Sequence, residues 1–296
     1  MRVLLPDLPP FHRLKLNGLE AVFYSRDHLP QGQAEGMVLW FLPAQQRREL
    51  LGRPGLRWVL TLTAGIDHVA TGLPAGVTLY NAHELHDKAV AQHALGLMLA
   101  AGRGLHRFRD AQRERRWVKA GAMHTLEGRE VVIWGQGHIG RLLAGMLEPL
   151  GARVSGLTFR STPVEVEAAL RRADDLLMLL PSTPATRHIL DAGRLALLRP
   201  QCWVYNLGRG ELIDPSALHI ALSEGRLGGV ALDVTEPEPL PPGDPLWDLP
   251  NVILTPHVGS TTDDLIERGA GYAAGVLERL LAGDEVPGRV DLGRGY

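Results

Sequence analysis

The stretch Val131-Val132-Ile133-Trp134-Gly135-Gln136-Gly137-His138-Ile139-Gly140 sets four apolar residues directly before a G-x-G-x-x-G turn, and Leu142, Leu143, Met146 and Leu147 continue it with helical spacing. A strand, a tight turn and a helix are expected in that order. In this setting the three glycines do different things. Gly135 permits the turn, Gly137 lets backbone approach a pyrophosphate, and Gly140 lets helix and strand pack closely. The helix N-terminus adds unpaired N–H groups and the positive end of its dipole. Gly135, Gln136, Gly137, His138, Ile139 and Gly140 thus form a candidate dinucleotide-phosphate site. The plainer reading is a glycine-rich turn inside an α/β domain.

Outward from this turn, short apolar runs recur at residues 153–157, 176–180, 203–206, 229–232 and 252–254, with helix-like segments between most of them. Earlier runs lie at residues 1–5, 21–24, 37–42, 58–62 and 78–80. Continuous apolar runs suit parallel strands covered on both faces, and their alternation with helices implies a doubly wound α/β sheet. Asp87 reads as the N-cap of a helix whose apolar face is Ala89, Val90, His93, Ala94, Leu97, Met98 and Ala101. The charged segment 103–119 that follows is read as a solvated arm or one that wraps a partner subunit, and residues 262–281 read as a closing helix.

A length of 296 residues suits two domains of ordinary size. A net charge of −2 leaves no basic surplus for nucleic acid or anionic lipid. The N-terminal apolar stretch is broken by Pro6, Pro9 and Pro10, so neither an export signal nor a membrane span is expected. The single cysteine, Cys202, sits in an apolar run and reads as a buried thiol, which fits a cytoplasmic protein. The histidines are scattered without a thiol nearby, so no metal site is expected.

An NAD site usually carries Asp or Glu at the end of the second strand, where it holds the ribose 2′-hydroxyl. Here that strand ends Gly156-Leu157-Thr158-Phe159-Arg160-Ser161-Thr162, and residues 149–164 hold no carboxylate. Arg160 can pair with a 2′-phosphate, and the hydroxyls of Thr158, Ser161 and Thr162 can donate to it. NADP(H) is expected over NAD(H). Otherwise Arg160 is an exposed loop arginine and NAD(H) binds without its usual acid.

Three further segments follow strands: Asn206-Leu207-Gly208-Arg209-Gly210, Asp233-Val234-Thr235-Glu236-Pro237-Glu238-Pro239, and Thr255-Pro256-His257-Val258-Gly259. Strand C-terminal ends are where open α/β sheets bind ligands, so the three should converge. Reduction of a 2-keto acid needs a cation for its carboxylate and carbonyl and an acid to protonate the oxygen as hydride arrives. Arg209 supplies the guanidinium fork, His257 the proton, and Glu238 the ion-pair partner that keeps the imidazole charged. Singly, each has a duller explanation as a strand-end or loop polar residue.

With these residues in view, the chain resembles the D-isomer-specific 2-hydroxyacid dehydrogenase family, in its glyoxylate/hydroxypyruvate reductase-like form. The likeness includes the glycine-rich turn, residues 180–186 from Leu180-Pro181 to Thr186, residues 206–218, the Glu238-Pro239-Leu240-Pro241 element, Pro256-His257, and a tail with Val290, Asp291, Gly295 and Tyr296. Thr63-Ala64-Gly65-Ile66-Asp67 resembles the loop whose amides receive the substrate carboxylate. The resemblance implies Arg209 as substrate-binding cation, His257 as acid/base with Glu238, Asp233 beside the nicotinamide carboxamide, and cofactor contacts at Pro181 and Thr186.

It also implies a Rossmann-type cofactor domain, residues 89–267, inserted into a flavodoxin-like α/β substrate domain, residues 1–88 plus 268–296. A homodimer and closure on substrate belong to the same expectation. The substrate pocket is expected to use Trp40, Phe41, Ala64, Gly65 and His83, with Trp40 either shortening it in favour of glyoxylate or hydroxypyruvate or serving as an ordinary core aromatic. Where many members read Ala-Glu-His on the linking helix, this chain has Ala91-Gln92-His93. A second reading is a non-catalytic dinucleotide sensor of the same fold acting through a protein partner. Keeping Arg209, Glu238 and His257 together argues against it.

Overall fold

The structure, a computed structural model, describes residues 1–119, 121 and 123–292. Gly295 and Tyr296, quoted for the tail, lie outside the described residues. The chain divides into two compact units, Met1–His86 with Thr261–Tyr296, and Asp87–Ser260. The first boundary falls inside the long helix His83–Gly102.

In the first unit the strands are β1 (Arg2–Pro6), β2 (Glu20–Tyr24), β3 (Gly36–Leu39), β4 (Trp58–Thr61) and β5 (Thr78–Asn81), all parallel in the order β2-β1-β3-β4-β5. That is the flavodoxin-like order. All four residues of β3 and of β4 are buried, which is why these runs are apolar without alternation. Val3, Leu5, Val38 and Leu60 pack on one face with Ala273 and Leu277 of the helix Leu265–Ala282, and Leu4, Met37, Leu39 and Val59 pack on the other with Leu50 and Leu51. Tyr24 reaches across to the end of β3, donating its hydroxyl to Val38 O at 2.9 Å and accepting from Trp40 N–H at 2.8 Å. The outer edge of β5 is covered by the C-terminal segment, through Asn81 N–H to Gly288 O at 2.8 Å and Val290 N–H to Leu79 O at 2.9 Å.

The second unit holds β6 (Glu130–Trp134), β7 (Arg153–Leu157), β8 (Asp175–Met178), β9 (Trp203–Asn206), β10 (Gly229–Leu232) and β11 (Val252–Leu254), again all parallel. Their order is β11-β10-β9-β8-β6-β7. From β6 the chain turns one way to β7, and from β8 the other way to β9. The order therefore reverses between β6 and β8, and ligands of open α/β sheets bind at the C-terminal ends of strands beside such a reversal. One face is covered by the helices Pro163–Arg172 and Pro215–Ser223, through Ala169, Leu170, Leu218 and Leu222. The other carries the helix His138–Leu147 and the long helix, through Leu143, Leu147, Ala94 and Met98.

One expectation from the sequence is corrected. The long helix begins at His83, not at Asp87, so Asp87 lies within it at 6% exposure instead of capping it. Its carboxylate lies 3.8 Å from His138 Nδ1 at the glycine-rich turn. Within the charged segment 103–119, Leu105–Arg113 form a helix. Beyond it Trp117 is 97% exposed.

Candidate active site

The end of β6 turns sharply at Gly135, whose φ of +118° is reserved for glycine, and a Cβ there would sit 2.7 Å from the carbonyl carbon of Leu179. Gly140, one turn into the helix, lies against the Gly135 carbonyl where any side chain would collide. Around Gly137 there is open space, and it caps the helix His138–Leu147 without a side-chain hydrogen bond. The first-turn amides are left for an anion. Gln136 lays its side chain over Gly156 of β7, and its carbonyl accepts from Arg141 Nη1 at 3.0 Å. Tight turn, open approach and helix N-terminus together fit the pyrophosphate of a dinucleotide.

After β7 the chain makes a turn held by its own hydroxyls. Thr158 N–H donates to Ser161 Oγ and Arg160 N–H to Thr158 Oγ1, both at 3.1 Å. Both oxygens act as acceptors, so each hydroxyl proton can point to a ligand. Thr162 differs from expectation. It caps the helix Pro163–Arg172 in a reciprocal box with Glu165, and its hydroxyl donates to Glu165 Oε2 at 3.0 Å. Its proton is engaged by that cap. Arg160 lies 5.2 Å from the ring centroid of Phe159 and has no ion-pair partner among the described residues.

The loops after β8 and β9 are pinned by single polar side chains. Thr186 Oγ1 donates to Pro181 O at 2.7 Å and accepts from Thr183 N–H at 2.8 Å. Asn206, only 1% exposed, donates from Nδ2 to Arg209 O at 2.8 Å and accepts from Gly208 N–H at 3.1 Å. Arg209 in turn sends Nη1 to Gly208 O at 2.7 Å, so its guanidinium leaves the strand end in a set direction.

Asp233, at the end of β10, organises the last loop. Its Oδ1 accepts from Thr255 Oγ1 at 2.6 Å and Val258 N–H at 3.0 Å, and its Oδ2 accepts from Gly259 N–H at 2.9 Å. Its backbone carbonyl accepts from His257 N–H at 2.7 Å. Burial opposes ionisation of this carboxyl. Hydrogen bonds from His93, Thr255 and the two amides outweigh burial and hold its pKa down at about 2. His93 stands behind it, with Nε2 at 3.0 Å from Thr255 Oγ1 and 3.4 Å from Asp233 Oδ1.

This loop presents His257 with φ +53° and Nδ1 at 2.7 Å from Glu238 Oε1. The two side chains are 48% and 43% exposed, open enough to meet a ligand. A carboxylate on Nδ1 fixes that nitrogen as a donor, so Nε2 is the nitrogen that can give or take a proton. The pair can act as an acid/base with an oriented ring.

In the first unit, the loop after β4 is shaped by Thr63 Oγ1 to Gly65 O at 2.8 Å and Asn81 Nδ2 to Ala64 O at 3.0 Å. His83 Nδ1 lies 3.0 Å from Asn81 Oδ1. Trp40, which the sequence leaves as a pocket wall or a core aromatic, is 5% exposed, meets Phe11 edge-on at 6.4 Å, and fills the space over Gly269 where a Cβ would lie 2.6 Å from its ring. It is a core residue. Phe41, stacked on it at 4.3 Å, is 51% exposed.

Residues 95–259, more than half of the chain, match the model of the D-isomer specific 2-hydroxyacid dehydrogenase NAD-binding domain. The chain belongs to the D-isomer specific 2-hydroxyacid dehydrogenase family. It is therefore an oxidoreductase with an NAD-binding domain, in a family that acts on small hydroxy and keto acids. Among relatives within this family, a glyoxylate reductase of Thermofilum pendens is 30% identical over 256 residues, 80% of this chain and 76% of that protein. A D-3-phosphoglycerate dehydrogenase of Mycobacterium bovis is 32% identical over 276 residues, 89% of this chain, yet the chain spans only 52% of that longer protein. The structure of an NADPH-dependent glyoxylate/hydroxypyruvate reductase from Sinorhizobium meliloti, in complex with NADP and sulfate, superposes with a TM-score of 0.85 at 26% identity, covering 100% of this chain and 99% of that one. Among the described residues, no cluster of His, Cys, Asp and Glu could hold a metal ion, and no helix is long and apolar enough to cross a membrane.

Proposed function

We propose that this chain is an NADP(H)-preferring reductase of small 2-keto acids of the glyoxylate or hydroxypyruvate type, moving a hydride to or from C2. The observation that carries the reading is the 2.7 Å contact between His257 Nδ1 and Glu238 Oε1 on a loop organised by Asp233. A sensor needs no such pair. A reduced nicotinamide dinucleotide, with its pyrophosphate held at the Gly135 turn, would supply the hydride. Arg209 grips the substrate carboxylate and polarises the carbonyl through its planar fork. His257 gives the Nε2 proton to the carbonyl oxygen as it gains negative charge, and Glu238 stabilises the ring while it is cationic. In the oxidative direction the same nitrogen accepts the hydroxyl proton.

The cofactor preference rests on the turn after β7. Arg160 without an ion-pair partner and two hydroxyls with protons to donate suit a dianionic 2′-phosphate, whereas a 2′-hydroxyl would find no acid there. NADPH and NADH oxidation should be measured against glyoxylate, hydroxypyruvate, pyruvate, phenylpyruvate and 2-ketoisocaproate. The expected result is turnover on the smallest acids with NADPH preferred, and a fall of roughly tenfold or more in that preference in Arg160→Asp, about the value of one charge-assisted pair. Tight NADPH binding with no turnover on any of the five would favour the sensing reading instead.

The proposed partner is a second copy of the chain, covering the exposed Leu105 and Trp117 (54% and 97%). Such apolar exposure suits an interface. Sedimentation equilibrium at micromolar concentration should give twice the chain mass, and Trp117→Glu should shift it toward one; a monomeric parent would refute the assignment.

A further inference from the structure

A second set of side chains in the Asp87–Ser260 unit ties the loops of the reacting centre together without belonging to it. Arg187 bridges two carboxylates, with Nη2 at 2.5 Å from Glu236 Oε1 and Nη1 at 3.1 Å from Glu211 Oε1. His188 Nε2 lies 2.8 Å from the other oxygen of Glu236, and Ser182 Oγ donates to the other oxygen of Glu211. Each carboxylate stands two residues from a group assigned to the chemistry: Glu211 follows Arg209, and Glu236 precedes Glu238. The guanidinium therefore spans the gap between the loop after β9 and the loop after β10.

Backbone contacts reinforce the same junction. Gly210 lies so close to the Thr235 carbonyl that any side chain there would collide with it. His188 N–H donates to Glu211 O at 2.7 Å, and Leu190 forms a parallel bridge with Ile213. His188 itself holds φ +50°, a conformation that costs a non-glycine residue energy. Its backbone bond to Glu211 and its ring contact with Glu236 maintain that conformation. Burial pushes the Glu236 carboxyl up, but His188 and Arg187 outweigh it and hold it below its ordinary value; pairing with Glu236 correspondingly lifts Arg187. Fold stability is a poor account of the arrangement, because Arg187 and Glu211 are 48% and 46% exposed and open ion pairs contribute little.

We propose that Arg187, assisted by His188 on Glu236, is a positioning residue that sets the distance between Arg209 and the Glu238–His257 pair. The inference rests on the roles proposed above for those three residues. A guanidinium presents its donors in a rigid plane and can hold two carboxylates at a fixed separation, which a lysine on a flexible stem cannot. A shift of about 1 Å in a reacting group can cost on the order of 10²-fold in rate, so a loosened junction is read in turnover before it is read in folding.

The test compares Arg187→Met, Arg187→Lys, Glu238→Gln and the Arg187→Met/Glu238→Gln double variant, using glyoxylate with NADPH and with 4-deuterated NADPH. Arg187→Met should lower kcat roughly tenfold and enlarge the deuterium isotope effect, while NADPH stoichiometry and Kd stay at parent values. Arg187→Lys should recover part of that loss. In the double variant the Arg187→Met change should add little, because Arg187 acts through Glu238. The proposal is overturned by Arg187→Met turning over within twofold of the parent, by a loss matched by missing NADPH sites, or by a loss that multiplies in full onto Glu238→Gln. Glu238→Gln as fast as the parent would instead sink the reading of Glu238 and this inference with it; a slow Glu238→Gln beside a fast Arg187→Met sinks the inference alone.

Discussion

His257→Ala is expected to lose about three orders of magnitude in kcat for keto acid reduction, in the middle of the range for removal of a general acid. NADPH affinity should stay within about twofold, since no cofactor contact is assigned to the imidazole. The choice of replacement matters because His257 holds φ +53°. Alanine is strained in that left-handed region, whereas asparagine adopts it readily. His257→Ala should therefore melt below the parent and His257→Asn close to it, with both equally slow. Steady-state kinetics, fluorescence titration with NADPH and thermal melts of the two variants separate chemistry from folding. Turnover within tenfold of the parent in the asparagine variant would remove His257 from the mechanism.

The central strands of both sheets are legible in the sequence because burial on both faces removes the polar alternation: β9 and β10, buried throughout, lie where continuous apolar runs put them. The turn at Gly135 is legible for a related reason, since its glycines answer to local backbone geometry that needs no distant partner. Local reasoning fails where a residue's role is set from far along the chain. Asp87 looks like a cap in sequence, yet its carboxylate faces His138, 51 residues on, and the helix runs through it. Trp40 follows a strand and reads as pocket wall or core aromatic alike, and only the distant helix beginning at Leu265, with its glycine-lined recess, makes it core. His93 reads as one member of an apolar helix face, while its ring sits on Thr255 and Asp233, 162 and 140 positions away. Arg187 and Glu236 carry no mutual signal in one sequence, being 49 residues apart. Thr162 is the exception in the other direction: the Thr-x-x-Glu spacing of its capping box is visible in the sequence, and the helix uses the hydroxyl that a ligand role would need.

Replacement of Arg209 by lysine should be severely damaging, second only to loss of the proton donor, although it keeps the charge. Asn206 holds the Arg209 carbonyl at 2.8 Å, and Nη1 bonds to Gly208 O at 2.7 Å, so the guanidinium plane is oriented before any substrate arrives. A 2-keto acid offers coplanar oxygens on adjacent carbons, which a planar fork meets with two parallel hydrogen bonds and an ammonium meets with one. Loss of one charge-assisted bond and of that orientation is worth about 3 kcal/mol, or roughly two orders of magnitude in kcat/KM. The loss should fall on both parameters. KM rises because the carboxylate is held less firmly, and kcat falls because the carbonyl is no longer aligned for hydride and proton. NADPH affinity and melting temperature should stay near parent values in Arg209→Lys. If lysine instead retained a third or more of the parent kcat/KM, charge alone would suffice at this position and the fork could not be what selects a 2-keto acid.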